Sequence, residues 1–265
     1  MRFELDFPVI QNSYTSKAYE AGWFSKSFPS FVFYRKMLGI VFRSSRLAKR
    51  GKFDDPSWCL SSYDTLQSLE SVGATASVEG LENVIQTDGP CIIIGNHMST
   101  LETFVLPYLI CPFKKVTFIV KEALVNYPVF KHVMMSRNPI VVGRENPKQD
   151  FMTVLKGGSE RIQSGYSIAV FPQTTRMTEF DRSQFNSIGI KLAKRADVPV
   201  IPLALKTDCW GNGMLIKDFG KIDPNNPIKL KFGERLRIEG NGKAQQEAVI
   251  SHIENCLTDW KIRNY

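Results

Sequence analysis

The feature that most constrains the fold of this chain is a series of short apolar runs that recurs through its middle. Each run is nearly continuous in apolar residues, which is typical of strands covered by other layers on both faces. The runs are residues 91–95, 116–120, 139–142, 167–171 and 200–205. Segments with helical character separate them, at 99–110, 121–135, 147–164 and 183–195. This alternation predicts an α/β fold with a layered, largely parallel sheet flanked by helices.

The two ends of the chain differ from this middle region. A strand pair is predicted within residues 227–240 and a closing helix at 243–262. Residues 1–75 are predicted to form a helical, basic and aromatic N-terminal appendage that contacts a membrane, and residues 76–265 the α/β domain. A length of 265 residues fits one large domain with such an appendage.

The composition of the chain restricts the cellular compartments in which we expect it. The first residues carry acidic side chains where a secretory signal peptide requires an apolar stretch, so secretion is not expected. No apolar run reaches the ~18 residues that predict a spanning helix. The five cysteines are an odd number, widely scattered and without C-x-x-C spacing. They predict a reducing compartment and mostly buried thiols.

The net charge of +8 is concentrated near the N-terminus, where residues 35–52 contain seven basic residues and no acidic one. The overlapping residues 28–42 are rich in aromatic and aliphatic side chains. Such a pattern is typical of an amphipathic element on an anionic membrane surface, where each Lys or Arg contributes roughly 1 kcal/mol. A helix that packs its apolar side on the domain explains these residues equally well. Nucleic-acid binding is not expected, because no recognition motif accompanies the charge.

Polar clusters follow two of the predicted strands. His97 comes just after the run at 91–95, and the stretch "FPQTTR" begins at the end of the run at 167–171. In open α/β sheets, ligands bind in the crevice at the carboxyl ends of the strands. The sequence therefore predicts that both clusters line one cleft.

His97 and Glu102 can be interpreted in two compatible ways. Ser99 and Glu102 have the spacing of a capping box, in which the glutamate accepts a hydrogen bond from the backbone at the helix start. Alternatively, the carboxylate holds one ring nitrogen of His97 and leaves the other free as a general base. One carboxylate oxygen can cap the helix while the other holds the ring. The pair is thus a candidate catalytic couple.

Other site chemistries lack their motifs in this sequence. It contains no G-x-S-x-G nucleophile elbow, and neither a G-x-x-x-x-G-K-[ST] loop nor a G-x-G-x-x-G turn follows a strand. It also lacks H-E-x-x-H and the Cys/His spacings of zinc sites.

These blocks, taken together and in order, resemble the glycerolipid acyltransferases of the 1-acyl-glycerol-3-phosphate acyltransferase (PlsC-like) family. The family pattern is N-H-x-x-x-x-D, a basic segment, F-P-E-G-T-R and an apolar V-P-[VI]-[VI]-P run, and here it spans roughly residues 78–205. The matching stretches are Asn96 and His97 with Glu102, "KEAL" at 121–124 with Pro128, "PIVVGRE" around Arg144, "VFPQTTR" at 170–176 and "VPVIPLAL" at 198–205.

The resemblance implies transfer of an acyl group from acyl-CoA or acyl carrier protein, as co-substrate, to the hydroxyl of a lysophospholipid acceptor. It implies no metal and no other cofactor. His97 would deprotonate the hydroxyl, Glu102 would orient His97, and backbone N–H groups at a helix start would stabilise the oxyanion. Arg176 would hold the acceptor phosphate, with Lys121 and Arg144 as further candidates for the same anionic pocket. A monotopic protein on the cytoplasmic face of the membrane, with the phospholipid surface as its partner, is the expected location.

The sequence departs from the family pattern at two places. Glu102 replaces the usual aspartate, and "FPQTTR" replaces F-P-E-G-T-R, which puts Gln173 and Thr174 before Thr175 and Arg176. The second block contacts the acceptor in the family, so acceptors other than 1-acyl-glycerol-3-phosphate stay open, including an amino-acid-containing lyso-lipid. A non-catalytic lipid-binding protein of the same fold and a thioester hydrolase are the alternative functions.

Overall fold

A computed structural model describes residues 1–17, 20–127, 129–173, 175–214 and 216–262. The strands are β1 (Tyr14–Thr15), β2 (Ala76–Glu79), β3 (Ile92–Gly95), β4 (Lys115–Lys121), β5 (Ile140–Val142), β6 (Tyr166–Val170), β7 (Val200–Lys206) and β8 (Ile228–Phe232). The α-helices are α1 (Trp23–Ser27), α2 (Pro29–Lys49), α3 (Asp55–Glu70), α4 (Glu82–Ile85), α5 (Leu101–Ile110), α6 (Glu122–Val125), α7 (Lys131–Ser136), α8 (Pro147–Gln163), α9 (Ile188–Ala196) and α10 (Lys243–Ile262).

The strands form one eight-stranded sheet with the order β1-β2-β8-β7-β3-β6-β4-β5. Neighbours are parallel except for the β1–β2 and β7–β8 pairs. The central strand β3 lies between β7 and β6, with Ile94 opposite Pro202 on one side and Val170 on the other. The predicted α/β class with a largely parallel sheet is confirmed.

Helices cover both faces of the sheet, and successive residues of β3 show why the strand must be apolar throughout. Ile93 packs into a core shared with α2, α3 and α5, whereas Ile92 and Ile94 pack into a second core with α8, α9 and α10. Side chains alternate between the faces of a strand, so a strand buried on both faces has no polar positions. The continuous run that predicted the strand is the direct result.

Local sequence signals set the ends of several helices. Asp54 and Asn146 cap α3 and α8, accepting hydrogen bonds from the backbone N–H groups of Ser57 and Gln149. Pro29 opens α2, where a missing N–H group costs nothing. None of the described helices combines the length and apolar character needed to cross a bilayer.

The sequence-based boundaries were wrong in three places. The predicted helix at 121–135 is divided into α6 and α7, and Pro128, which lies outside the described residues, disfavours helical geometry at the residue before it. The predicted helix at 183–195 begins only at Ile188, after a 3₁₀ turn whose N-terminus is capped by Asp181. The second strand of the pair at 227–240 is reduced to one bridge between Val200 and Leu236.

The N-terminal region joins the rest of the chain in two ways. β1 adds an edge strand to β2, and α2 and α3 pack into the same apolar core as α5. These contacts join the N-terminal region to the core of the sheet. The division at residue 75 stays a prediction.

Two glycines with opposite surroundings provide a test of the helix–sheet packing. A Cβ atom at Gly189 of α9 would lie 2.6 Å from Cδ1 of Ile94, whereas a Cβ at Gly39 of α2 would meet nothing within 4 Å. We expect Gly189→Ala to lower the free energy of unfolding by about 1–3 kcal/mol through overpacking. Gly39→Ala should raise it by up to about 1 kcal/mol, because alanine favours the helix. Urea denaturation measures both, and an equally stable Gly189→Ala would contradict the close approach of α9 to β3.

Candidate active site

The carboxyl ends of the parallel strands bring the predicted site residues to one edge of the sheet. His97 follows β3, Phe171 to Arg176 follow β6, and Thr207 follows β7. Asn96 fixes the chain as it leaves β3, because its side-chain amide accepts from the N–H of Leu205 and donates to the carbonyl of the same residue, both at 2.8 Å. The cleft predicted from the two polar clusters thus has its residues at the predicted edge.

Glu102 lies in the first turn of α5 and is completely buried. Its Oε2 is 2.9 Å from Nδ1 of His97. Its Oε1 accepts hydrogen bonds from the backbone N–H groups of Met98 (2.9 Å) and Ser99 (2.8 Å), and from the hydroxyl of Thr207. One oxygen of Glu102 therefore caps the helix while the other holds the ring of His97.

The hydrogen bonds of Glu102 also determine the state of His97. Two backbone N–H groups donate to the carboxylate of Glu102. A deprotonated Glu102 that also accepts a hydrogen bond from Nδ1–H of His97 therefore satisfies all of these hydrogen bonds. In the neutral imidazole, Nε2 of His97 then carries the lone pair, and no hydrogen bond occupies it among the described residues. The ring of Phe171 stacks on the imidazole at 4.7 Å with an interplanar angle of 11°. The His97 ring is therefore held in one plane and one tautomer, as a general base requires.

Gln173 supports the same loop from the other side. Its Oε1 accepts a hydrogen bond of 2.8 Å from the backbone N–H of His97, and the residue is only 2% exposed. Its Nε2 has no hydrogen-bond partner among the described residues. A buried amide donor without a partner costs about 1–3 kcal/mol, so Nε2 of Gln173 is an unsatisfied donor within this loop.

Arg176, three residues farther along the chain, has two partners. Nη1 donates to the hydroxyl of Thr100, the residue before α5, and Nη2 donates to Oδ1 of Asp218, both at 2.5 Å. Thr175 accepts a hydrogen bond of 3.1 Å from Nζ of Lys217. The predicted residue Thr174 lies outside the described residues.

Lys121 and Arg144 are placed farther along the edge. Lys121 ends β4, Arg144 follows β5, and both are exposed. In the sheet, β6, β4 and β5 lie successively farther from β3. Both residues are therefore at the same edge as His97 but displaced from it toward β5. Arg144 has a backbone φ of 67°, and its N–H donates to Asp150 at 2.8 Å.

Three backbone N–H groups just before and at the start of α5 have partners within the protein. Those of Met98 and Ser99 donate to Glu102, and that of Leu101 donates to Oγ of Ser99 at 3.1 Å. The capping of the helix by its own side chains uses these donors. They are therefore engaged within the protein and not directed at a ligand.

Other reactive side chains lie away from this site. All five cysteines are buried and free, which confirms the predicted burial of the thiols. Burial raises the pKa of every thiol, to about 12 for Cys59 and Cys209, so they are poor nucleophiles at neutral pH. Among the described residues, no group of three or more His, Cys, Asp and Glu side chains could hold a metal ion.

Comparison with known proteins now identifies the family. The Acyltransferase family profile matches residues 75–206, which contain His97, Glu102 and Arg176. The 1-acyl-sn-glycerol-3-phosphate acyltransferase of Pseudomonas aeruginosa is 31% identical over 193 residues, which cover 73% of this chain and 70% of that protein. The chain belongs to the acyltransferase family.

Further relatives agree with this assignment. This acyltransferase is 30% identical over 128 residues to the chloroplastic 1-acyl-sn-glycerol-3-phosphate acyltransferase BAT2 of Brassica napus, covering 48% of this chain and 36% of that one. The crystal structure of PlsC, a 1-acyl-sn-glycerophosphate acyltransferase from Thermotoga maritima, superposes with a TM-score of 0.63 at 20% identity, covering 90% of this chain and 97% of PlsC. This likeness shows that the fold is shared.

Three contributors to the site were missed from the sequence. Phe171 is inside a block that was singled out, but its stacking on His97 has no signal of its own. Thr207 directly follows a predicted strand, so its place at the sheet edge was predictable, although its bond to Glu102 was not. Asp218 lies in a loop beyond the family match, where no pattern indicated it.

Removing the hydroxyl of Thr207 tests the hydrogen bonding of Glu102. Thr207→Val keeps the shape of the buried side chain and deletes one donor to Oε1. We expect a loss of about 1–3 kcal/mol in the free energy of unfolding, because a buried carboxylate loses a hydrogen bond. Thr207→Ser, which restores the hydroxyl, is the control and should recover most of that loss. Equal unfolding curves for Thr207→Val and the wild type would contradict the role given to Thr207.

Proposed function

We propose that this acyltransferase transfers a fatty acyl group from an acyl thioester to the free hydroxyl of a lyso-lipid, with 1-acyl-glycerol-3-phosphate as the acceptor. The observation that carries the proposal is the His97–Glu102 contact of 2.9 Å, which leaves Nε2 of His97 available at the ligand-binding edge of the sheet. The printed names of the relatives from Pseudomonas aeruginosa and Brassica napus support the choice of acceptor.

His97 is the general base in the proposed reaction. Its Nε2 removes the proton of the acceptor hydroxyl while the oxygen forms a bond with the thioester carbonyl carbon. The resulting imidazolium is stabilised by Glu102, which keeps its own negative charge throughout. Collapse of the tetrahedral intermediate breaks the carbon–sulfur bond, and the leaving thiolate takes the proton from His97. General-base assistance of this kind contributes about 10²–10⁴ to the rate.

Acceptor binding is assigned to the basic and polar residues around Arg176. The planar guanidinium of Arg176 suits a phosphate, and Nε2 of Gln173 is an unused buried donor for another acceptor oxygen. Thr175 extends this pocket, Thr174 keeps its predicted role in acceptor binding from the sequence alone, and the exposed cations Lys121 and Arg144 raise the positive potential along the edge. Acyl-CoA and acyl carrier protein both supply the thioester that the mechanism requires. No metal and no further cofactor takes part in any step.

The acceptor is an amphiphile, and the surface of α1 and α2 supports contact with a membrane. The buried face of α2 packs on the domain, yet a second set of aromatic and aliphatic side chains remains exposed: Trp23 (78% exposed), Phe24, Phe28, Phe31, Leu38 and Phe42. Exposed basic residues accompany them, including Arg35, Arg43 and Arg46. Packing on the domain and the proposed membrane contact thus use different sides of α2. The proposed location is peripheral, on the cytoplasmic face of a bilayer with anionic lipids.

Thiol release by the purified enzyme tests the proposed function. Wild type and His97→Ala are incubated with acyl-CoA, with and without 1-acyl-glycerol-3-phosphate and a panel of other lyso-lipids, and then with acyl carrier protein as donor. We expect acceptor-dependent release by the wild type and a loss of about 10²-fold or more in His97→Ala. The unfolding curve of His97→Ala, measured in parallel, shows whether the variant is folded.

The remaining outcomes identify the alternatives. Thiol release that is independent of every acceptor would show a thioester hydrolase. Lipid binding without turnover for either donor would show the non-catalytic lipid-binding protein. Retention of activity by His97→Ala would remove His97 from the mechanism.

A further inference from the structure

A loop beyond the family match covers one side of the site. Residues 211–221 leave and re-enter the fold through a narrow neck, which is closed by a hydrogen bond of 2.9 Å from the N–H of Gly211 to the carbonyl of Lys221. The neck depends on glycine, since a Cβ atom at Gly220 would lie 1.8 Å from the carbonyl oxygen of Gly211. A bridge between Trp210 and Ile222 extends the pairing just below. The loop is thus a compact unit with closely spaced ends.

The inner side of this loop makes polar contacts with the site. Oδ1 of Asp218 accepts hydrogen bonds from Nη2 of Arg176 at 2.5 Å and from the hydroxyl of Thr100 at 3.0 Å. Nζ of Lys217 donates to Thr175, and the amide of Asn212 donates to the carbonyl of Met98 at 3.0 Å. The loop is therefore attached to the turn before α5 and to the segment after β6, which both carry site residues.

A phosphate at Arg176 would compete with Asp218. Carboxylate and phosphate oxygens use the same guanidinium N–H groups, and here Nη2 is directed at Asp218 while Nη1 is directed at Thr100. A phosphate placed beside a retained Asp218 would meet a second negative charge at short range, which is unfavourable. The acceptor phosphate and the Asp218 carboxylate therefore compete for Arg176.

The loop is built so that its inner contacts can be exchanged at low cost. The side chains of Met214, Ile216 and Phe219 are exposed, so the outer side is not buried against the protein. The Arg176–Asp218 pair is itself partly solvated, at 17% and 40% exposure. Ion pairs in such surroundings are weak compared with buried ones. Two hydrogen bonds at the base fix where the loop returns to the fold. Gly211 donates to the carbonyl of Lys221, and the indole of Trp210 donates to the carbonyl of Asp218.

We propose that Asp218 sets the affinity for the acceptor by occupying Arg176 until the phosphate of the lyso-lipid displaces it. The inference rests on the proposed function, in which Arg176 binds the acceptor phosphate. Asp218 acts through Arg176, and it has no assigned contact with the acyl donor or the reacting hydroxyl. The loop 211–221 thereby becomes part of the acceptor site.

Asp218→Asn tests this competition with little change in shape. The substitution keeps a side-chain carbonyl for Thr100 and removes the charge that competes for Arg176. We expect the KM for 1-acyl-glycerol-3-phosphate to fall by about threefold to tenfold, with kcat within about twofold of the wild type. Asp208→Asn is the matched control. Asp208 is close to Asp218 in sequence, but it pairs with Lys206 at 2.7 Å and is not bonded to Arg176. Removing the charge of Asp208 should leave the KM for the acceptor unchanged.

The sign of the change decides the result. An increase in KM would show that Asp218 positions Arg176 or binds a cationic group of the acceptor, and would overturn the proposal. An unchanged KM, or an equal decrease in Asp208→Asn, would overturn it as well. In an Arg176→Gln background, Asp218→Asn should have no further effect on KM.

Equilibrium binding separates this proposal from the proposed function. Calorimetric titration with glycerol 3-phosphate requires no turnover, and it should show a Kd lower by about threefold to tenfold in Asp218→Asn than in the wild type. If Asp218→Asn lowers the Kd but the enzyme is inactive toward every acceptor, the competition at Arg176 is retained and acyl transfer is rejected. Equal Kd values with acceptor-dependent turnover would reject the competition alone.

Discussion

The active site depends on the buried carboxylate of Glu102. A buried charge is destabilising by several kcal/mol unless hydrogen bonds satisfy its oxygens. Here the partners come from two parts of the chain: His97 and the N–H groups of Met98 and Ser99 after β3, and Thr207 after β7. The folded chain must therefore bring these parts together before Glu102 can be buried. The same hydrogen bonds that stabilise the turn also select the tautomer of His97.

The parallel sheet is what makes this assembly possible. Because β3 pairs in parallel with both β6 and β7, the residues that follow the three strands meet at one edge. Asn96 continues this pairing beyond the last residue of β3 through two hydrogen bonds to Leu205. From β6, Phe171 and Gln173 then reach His97, one by stacking on its ring and the other through its backbone N–H. The segment after β6 thus constrains the histidine directly, and β7 does so through Asn96 and Glu102.

The sequence predicted the parts of this arrangement that depend on local patterns. Doubly buried strands have continuous apolar runs, so the central sheet and its edge were predictable, and the S-x-x-E spacing indicated the capping by Glu102. The edge strand β1 and its neighbour β2 were missed, because they are short and contain polar residues. Asp218 was missed for a different reason. Its contact with Arg176 joins residues 42 positions apart through a loop without a repeating pattern, and only the tertiary structure brings them together.

The ring nitrogens of His97 provide the most direct test of the central claim, which is that Glu102 holds Nδ1–H and leaves Nε2 unprotonated. The measurement is ¹⁵N NMR of the imidazole nitrogens near pH 8, with the His97 signals assigned by their absence in His97→Ala. The account predicts the Nδ1–H tautomer in the wild type. In Glu102→Gln, whose amide can donate to Nδ1, the Nε2–H tautomer should replace it. A wild-type His97 protonated at Nε2, or a tautomer that does not respond to Glu102→Gln, would contradict the account.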